Sequence, residues 1–198
     1  MCTDCRSVID VAFVVDSSIK NQGAFAWNQM IAFVNLVIDR LTISLYAALV
    51  SFVRYGDRAT VEFRFRAYSD RPSTQSRILT ISYRGDPGNN LADALDALRN
   101  QVFQASAGAR SAAPWVAVVV TDRSPSIRAH DIASTASQAR VAGIQIIPVG
   151  ILESGLDRNI LNQIAYSPSR VTTVNNYNQL SSVATEVADW ICNTHLSK

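Results

Sequence analysis

The sequence predicts an α/β protein with a doubly wound, mainly parallel sheet, one antiparallel edge strand and helices on both faces. Two observations support this fold class. Segments with strand character alternate with segments of helical periodicity throughout the chain. Most strand segments are continuous apolar runs, as expected of central strands buried on both faces, whereas Arg58–Phe65 alternates polar and apolar residues and fits an edge strand.

The strand segments are rich in β-branched and aromatic residues, which favour extended structure. In chain order, the predicted strands are Val8–Asp16, Leu45–Val53, Arg58–Phe65, Trp115–Thr121, Ile144–Val149 and Val171–Val174.

Most of the helical segments carry apolar residues three and four positions apart, the spacing of one buried helix face, whereas the short helix Ser73–Leu79 is predicted from the helix-start residues Ser69, Asp70 and Pro72. In chain order, the predicted helices are Ala24–Arg40, Ser73–Leu79, Asn90–Gln104, Ile127–Ala142, Arg158–Ala165 and Tyr177–Cys192. No linker or internal repeat separates these elements, so we expect a single domain over residues 1–198.

Composition excludes several classes of function. Hydrophobic residues make up 48% of the chain and charged residues 17%, which suits a folded domain with a sizeable core. The formal net charge of +2 and the absence of a Lys/Arg run argue against nucleic acid as a partner. No apolar run reaches the roughly 18 residues of a membrane span, so membrane insertion is not expected.

Three cysteines lie near the ends of the sequence, at Cys2, Cys5 and Cys192. We expect a disulfide between the N-terminal segment and the last helix, which implies an oxidising, extracellular compartment. The alternative is free buried cysteines in a cytosolic protein. A zinc site is not expected, because its ligands usually lie at local spacings and the histidines, His130 and His195, are distant from one another.

Two carboxylates follow buried strands of the predicted sheet. Asp16 ends the first strand and Asp122 follows the fourth, and the Gly85–Asn90 turn should lie near them. The carboxyl ends of parallel strands meet at one edge of a sheet, where ligands commonly bind. With serine hydroxyls beside them, these carboxylates would suit Mg²⁺ or Ca²⁺. The alternative is that both aspartates are simply polar ends of strands.

Three stretches together resemble the metal-ion-dependent adhesion site of the von Willebrand factor type A domain. Asp16–Lys20 (Asp-Ser-Ser-Ile-Lys) resembles the Asp-x-Ser-x-Ser loop of that family. Gly88–Leu95 resembles the second loop and places Asn89 where the family has threonine. Thr121–Arg123 (Thr-Asp-Arg) resembles the third, where the family has Thr-Asp-Gly. The resemblance extends over almost the whole chain and implies the Rossmann-like fold of this family.

The resemblance implies a degenerate metal site. Asp16, Ser18 and Asp122 match the family pattern, and the amide of Asn89 still offers an oxygen. Lys20 replaces a ligand serine and cannot coordinate a cation. An inward-turned Lys20 ammonium would stand in for the metal charge, whereas an outward-turned one would leave the site one ligand short. We therefore expect Mg²⁺ or Ca²⁺ to bind weakly or not at all.

The resemblance also implies the disulfide pairing and the function. The spacing of the cysteines is similar to that of the disulfide-closed members of the family, which implies a Cys5–Cys192 bond and leaves Cys2 over. It implies a secreted, non-enzymatic adhesion module of the extracellular matrix that binds collagen or another matrix protein. The sequence as a whole suggests an invertebrate matrix protein, such as one of a mussel byssal thread or shell.

An enzymatic alternative is a phosphoryl-transfer reaction of the haloacid dehalogenase type, with Asp16 as the nucleophile. That chemistry needs a second aspartate two residues later, and Ser18 occupies that position. We therefore expect no enzymatic activity.

Overall fold

A computed structural model describes residues 5–18 and 22–194, and within these ranges the chain folds around a six-stranded sheet. In chain order the strands are β1 (Ile9–Asp16), β2 (Ala48–Tyr55), β3 (Ala59–Phe63), β4 (Trp115–Thr121), β5 (Ile144–Ile151) and β6 (Thr172–Val174). Their order across the sheet is β3-β2-β1-β4-β5-β6. β3 pairs with β2 in the antiparallel sense, and the other neighbouring strands are parallel. The predicted fold class is therefore confirmed.

The α-helices cover both faces of the sheet. In chain order they are α1 (Gly23–Ile38), α2 (Arg71–Leu79), α3 (Leu91–Ala97), α4 (Ile132–Val141), α5 (Arg158–Ile164) and α6 (Leu180–Cys192). A π-helical turn, Leu98–Val102, continues α3, and a 3₁₀ turn, Tyr177–Gln179, leads into α6. None of the helices in the described ranges is long and apolar enough to cross a membrane.

The alternation of side chains along the strands divides the core into two apolar layers. In β1, Phe13 and Val15 point into one layer, which α1, α2 and α6 cover. Ala12 and Val14 point into the other, which α3, α4 and α5 cover. A fully buried Phe or Val side chain contributes about 1.5–3 kcal/mol to folding. The apolar runs in the sequence are the strands whose side chains enter both layers.

Four predicted boundaries were wrong by three residues or more, including the start of the last helix, which is α-helical only from Leu180. The second strand begins at Ala48 rather than Leu45, because the chain turns before it and leaves Leu45 and Tyr46 49% and 87% exposed. The predicted helix Asn90–Gln104 is α-helical only to Ala97. The predicted helix Ile127–Ala142 is α-helical only from Ile132.

The late start of α4 has a physical cause. The backbone N–H groups of Ser126 and Ile127 both donate to the carbonyl of Asn89, at 3.0 Å each. These bonds hold the segment before α4 against the second loop of the predicted site, and Arg128, which follows, has a φ of 51° in the left-handed region, which an α-helix cannot include.

A buried ion pair anchors the opposite end of the sheet from Asp16. The side chain of Asp10 is fully buried and accepts from the backbone N–H of Arg110 at 2.6 Å and from its Nε at 2.8 Å. The same guanidinium donates to the carbonyls of Ile9 (2.9 Å) and Ala47 (2.7 Å). Arg110 therefore binds the segment between α3 and β4 to the beginnings of β1 and β2.

A disulfide joins Cys5 to Cys192, with their Cα atoms 5.6 Å apart, which confirms the predicted pairing. Cys5 is also fixed through its backbone, because its N–H donates to Arg40 and its carbonyl accepts from Thr42. The segment before β1 and the end of α6 are thereby held together. Cys2 and His195 lie outside the described residues.

Replacing Arg110 with alanine should lower the free energy of unfolding by about 3–5 kcal/mol, because it leaves the buried Asp10 carboxylate unpaired. Urea-induced unfolding measures this loss. The control is Arg99→Ala, which removes a more exposed pair with Asp96 and should cost at most about 1 kcal/mol. Equal losses in the two variants would contradict the role given to Arg110.

Replacing both Cys5 and Cys192 with serine should lower the free energy of unfolding by about 4–5 kcal/mol, because the bond closes nearly the whole chain into one loop. The bond spans 187 residues of sequence. Urea unfolding of Cys2→Ser provides the control, since that variant also loses a thiol but keeps the bond. A double variant as stable as the control would count against a stabilising disulfide.

Candidate functional site

The structure brings the predicted site residues together at one edge of the sheet. Asp16 is the last residue of β1, and Asp122 directly follows β4, its parallel neighbour. Ser18 follows Asp16 by two residues, and Asn89 reaches the same place from the loop before α3. All of these residues are buried. Whether they act as metal ligands is a separate question and stays a prediction.

The carboxylate of Asp16 is the centre of this cluster. Its Oδ1 accepts hydrogen bonds from the backbone N–H of Ser18 at 2.8 Å and from the Ser18 hydroxyl. Its Oδ2 accepts from Asn89 Nδ2 and from Thr121 Oγ1, the latter at 3.0 Å. The Asp16 side chain is thus held by donors from β4 and from the loops that follow β1 and precede α3.

The first loop is fixed by hydrogen bonds between Ser17 and the backbone of neighbouring segments. Its N–H and its hydroxyl both donate to the carbonyl of Tyr55 at the end of β2, at 2.7 and 2.9 Å. Its own carbonyl accepts from the N–H of Gly85 at 3.1 Å. These bonds fix the direction in which the chain leaves β1 and so place Ser18 over Asp16.

The second loop is fixed at three successive residues. Gly88 lies so close to Ile127 that a Cβ there would come within 2.4 Å of its Cδ1. Asn89 donates from its backbone N–H to Ser126 Oγ at 2.9 Å. Asn90 caps α3, because its Oδ1 accepts from the N–H of Asp93 at 3.1 Å. The amide of Asn89 is therefore presented to Asp16 by a rigid backbone.

Asp122 is held by a residue from the C-terminal part of the chain. Its Oδ2 accepts a 2.7 Å hydrogen bond from the hydroxyl of Tyr177, in the 3₁₀ turn before α6. Burial raises the pKa of the Tyr177 hydroxyl, which therefore stays a neutral donor. Tyr177 thus links the last helix directly to the site.

Burial and a neighbouring carboxylate both act on the charge of Asp16. Burial, followed by the negative charge of Asp122, raises the pKa of Asp16 to about 7. The hydrogen bonds from Ser18 and the positive charge of Arg123 oppose this shift. The site therefore favours a positive charge close to Asp16.

Arg123 places such a charge beside Ser18. Its Nε donates to Ser18 Oγ at 3.1 Å, the same hydroxyl that is predicted to coordinate a metal ion. Like unit charges about 4 Å apart repel by about 4 kcal/mol at an effective dielectric constant of about 20, and a divalent ion would double this repulsion. The positive charge of Arg123 is therefore unfavourable to a divalent cation at the Ser18 hydroxyl.

Two oxygens of the site nevertheless remain available. Asn89 Oδ1 and Asp122 Oδ1 are buried and accept no hydrogen bond from any described residue. Oxygens of this kind are the ligands that Mg²⁺ and Ca²⁺ prefer. No group of three or more His, Cys, Asp or Glu side chains in the described ranges could hold a metal ion. The prediction about Lys20 concerns residues 19–21, which lie outside the described part of the chain.

Sequence reasoning missed the roles of Arg123, Thr121 and Tyr177. Arg123 carried a signal, since a cationic residue replaces the glycine of the family motif next to Asp122. Thr121 also lies within that motif. Tyr177 carried none, because it is 55 residues away from Asp122 and meets it only through the fold.

The fold and the site together define a von Willebrand factor type A domain. The family model of that domain matches residues 10–186, and the chain belongs to this family. Among its relatives, matrilin-3 of Homo sapiens is 28% identical over 197 residues, which are 95% of this chain and 38% of the relative. Integrin alpha-1 of Gallus gallus is 29% identical over 119 residues, which are 60% of this chain and 41% of the relative.

Solved structures of proximal thread matrix protein 1 from the mussel byssus have the same fold. One has a TM-score of 0.87 at 24% identity and covers 96% of this chain and 47% of its own. Another structure of that protein, with the same TM-score and identity, is described as having a zinc-occupied MIDAS motif. The chain spans less than half the length of these relatives.

Replacing Tyr177 with phenylalanine should lower the free energy of unfolding by about 1.5–3 kcal/mol, because the buried Asp122 carboxylate loses a hydrogen bond. Urea unfolding measures the change. The matched control is Tyr46→Phe, which removes a hydroxyl from a side chain that is 87% exposed and should leave stability unchanged. If both variants unfold alike, the Tyr177–Asp122 bond does not stabilise the site.

Proposed function

We propose that residues 1–198 form a single, secreted, non-enzymatic adhesion module that binds collagen or another protein of the extracellular matrix. The observation that carries this proposal is a von Willebrand factor type A fold closed by the Cys5–Cys192 disulfide. Disulfides of this kind persist in oxidising compartments, which favours an extracellular location. Similarity to matrilins and to a byssal matrix protein supports the same class of function.

The environment of Asp16 argues against the phosphoryl-transfer alternative. A nucleophilic carboxylate needs an oxygen that can reach a phosphorus atom, whereas both Asp16 oxygens are buried and occupied by two donors each. The position two residues later, where an acid–base aspartate would be required, holds Ser18, which itself donates to Asp16. This arrangement supports a structural role for Asp16.

The module would bind its partner with a degenerate metal site. Asn89 and Lys20 replace two side chains of the family motif, and the guanidinium of Arg123 contacts the hydroxyl of Ser18. Asp16, Ser18, Asn89 and Asp122 would then bind Mg²⁺ or Ca²⁺ weakly or not at all. Adhesion would depend on protein contacts rather than on a bridging cation.

Solid-phase binding to immobilised fibrillar collagens tests this function. We expect saturable binding that is the same in Mg²⁺ as in EDTA, because no tightly held cation takes part. Wells coated with albumin and a heat-unfolded sample of the chain serve as controls. Failure to bind any fibrillar collagen would contradict the collagen assignment, and binding abolished by EDTA would contradict the degenerate site.

A phosphatase assay tests the alternative separately. Turnover of a small phosphate ester that is lost in Asp16→Asn would overturn the assignment as a non-enzymatic module.

A further inference from the structure

We propose that the guanidinium of Arg123, held at the Ser18 hydroxyl, supplies the positive charge that a divalent cation would bring to this site, and that Arg123 is the residue that excludes the metal ion. The inference deepens the proposed function, because it assigns the degeneracy of the site to one side chain. It does not depend on which matrix protein the module binds.

The contacts of Arg123 connect it to the centre of the site through one hydroxyl. Its Nε donates to Ser18 Oγ at 3.1 Å, and that hydroxyl donates onward to Asp16 Oδ1. A hydroxyl that accepts from a guanidinium on this path has an oxygen lone pair already in use. A metal ion on the second lone pair of that oxygen would lie close to the guanidinium charge, so Ser18 cannot serve both Arg123 and a metal ion at full strength.

The positive charge of Arg123 compensates negative charge at the site. Asp16 and Asp122 lie buried at the ends of adjacent strands, and carboxylates removed from water need a compensating positive charge. The guanidinium of Arg123 brings such a charge to within one hydroxyl group of Asp16. A divalent cation would do the same, so one of the two is sufficient.

The guanidinium of Arg123 is partly buried rather than fully solvated. Its Nη2 is buried and makes no hydrogen bond within the described part of the chain. Because arginine stays protonated at all ordinary pH values, this charge is permanent. The positive charge is thus built into the third loop of the site.

Removing the guanidinium should reveal the ligands that it competes with. Asn89 Oδ1 and Asp122 Oδ1 are buried and accept no hydrogen bond from the described residues, and Ser18 Oγ would become free to coordinate. Arg123→Gly also restores the Thr-Asp-Gly sequence of the family at this loop. We therefore expect this substitution to create a cation site, rather than merely to remove a contact.

The experiment is isothermal titration of the chain and of Arg123→Gly with MnCl₂. The substituted protein should bind Mn²⁺ about tenfold more tightly or better, since each factor of ten corresponds to about 1.4 kcal/mol. The matched control is Arg66→Gly, which makes the same change in net charge. Arg66 has a positive φ of 67°, which glycine adopts readily, and its charge acts on Asp10 at the opposite end of β1.

Thermal unfolding provides a second readout. In EDTA, Arg123→Gly should unfold at a lower temperature than the unsubstituted chain, and Mn²⁺ should restore the loss. The unsubstituted chain and Arg66→Gly should respond little to Mn²⁺.

Two outcomes would overturn the proposal, and both leave the adhesion assay unaffected. In one, the unsubstituted chain binds Mn²⁺ as tightly as Arg123→Gly. In the other, Lys20→Ser gains Mn²⁺ affinity while Arg123→Gly does not, which would assign exclusion of the ion to Lys20. Failure to bind collagen would overturn the proposed function but would not affect the result for Mn²⁺.

Discussion

The buried carboxylate of Asp16 sets the geometry of the whole site edge. A carboxylate removed from water is costly unless hydrogen bonds and positive charge compensate it. Here the compensation comes from Ser18, Asn89 and Thr121, which belong to three separate parts of the chain. Each must hold its place for the carboxylate to be satisfied, so the order of the loops and the burial of Asp16 depend on each other.

The last helix is held in relation to this edge at both of its ends. Tyr177, just before α6, donates to Asp122, and Cys192, its last residue, is bonded to Cys5 beside the start of β1. Any shift of α6 along its axis would have to break the hydrogen bond or strain the disulfide. This double attachment favours a module with one fixed conformation over one that changes affinity by moving its C-terminal helix.

The fold was largely predictable because the signals for it are local. Apolar runs and helical spacing identified most strands and α-helices, and helix-start residues identified the short α2. The polar alternation of Arg58–Phe65 identified the antiparallel edge, observed as Ala59–Phe63. The errors occurred where distant contacts override local preference. The predicted helix Ile127–Ala142 is interrupted at Arg128, whose left-handed backbone follows a segment that is hydrogen-bonded to Asn89. The pairing of Asp10 with Arg110, 100 residues apart, is likewise invisible in a linear pattern.

The positive charge at the site is a second feature that a sequence pattern alone does not locate. The sequence motif directs attention to Lys20, because lysine there replaces a serine that the family uses as a ligand. Arg123 attracts less attention, because it replaces a glycine, and a glycine contributes no side chain to a ligand set. In the folded chain, a long cationic side chain from the third loop reaches the hydroxyl of Ser18. A motif shows which side chains coordinate a cation. Whether a cation fits also depends on the side chains that stand where the motif has glycine. In the function proposed above, the degeneracy of this site therefore rests on an added charge more than on a missing ligand.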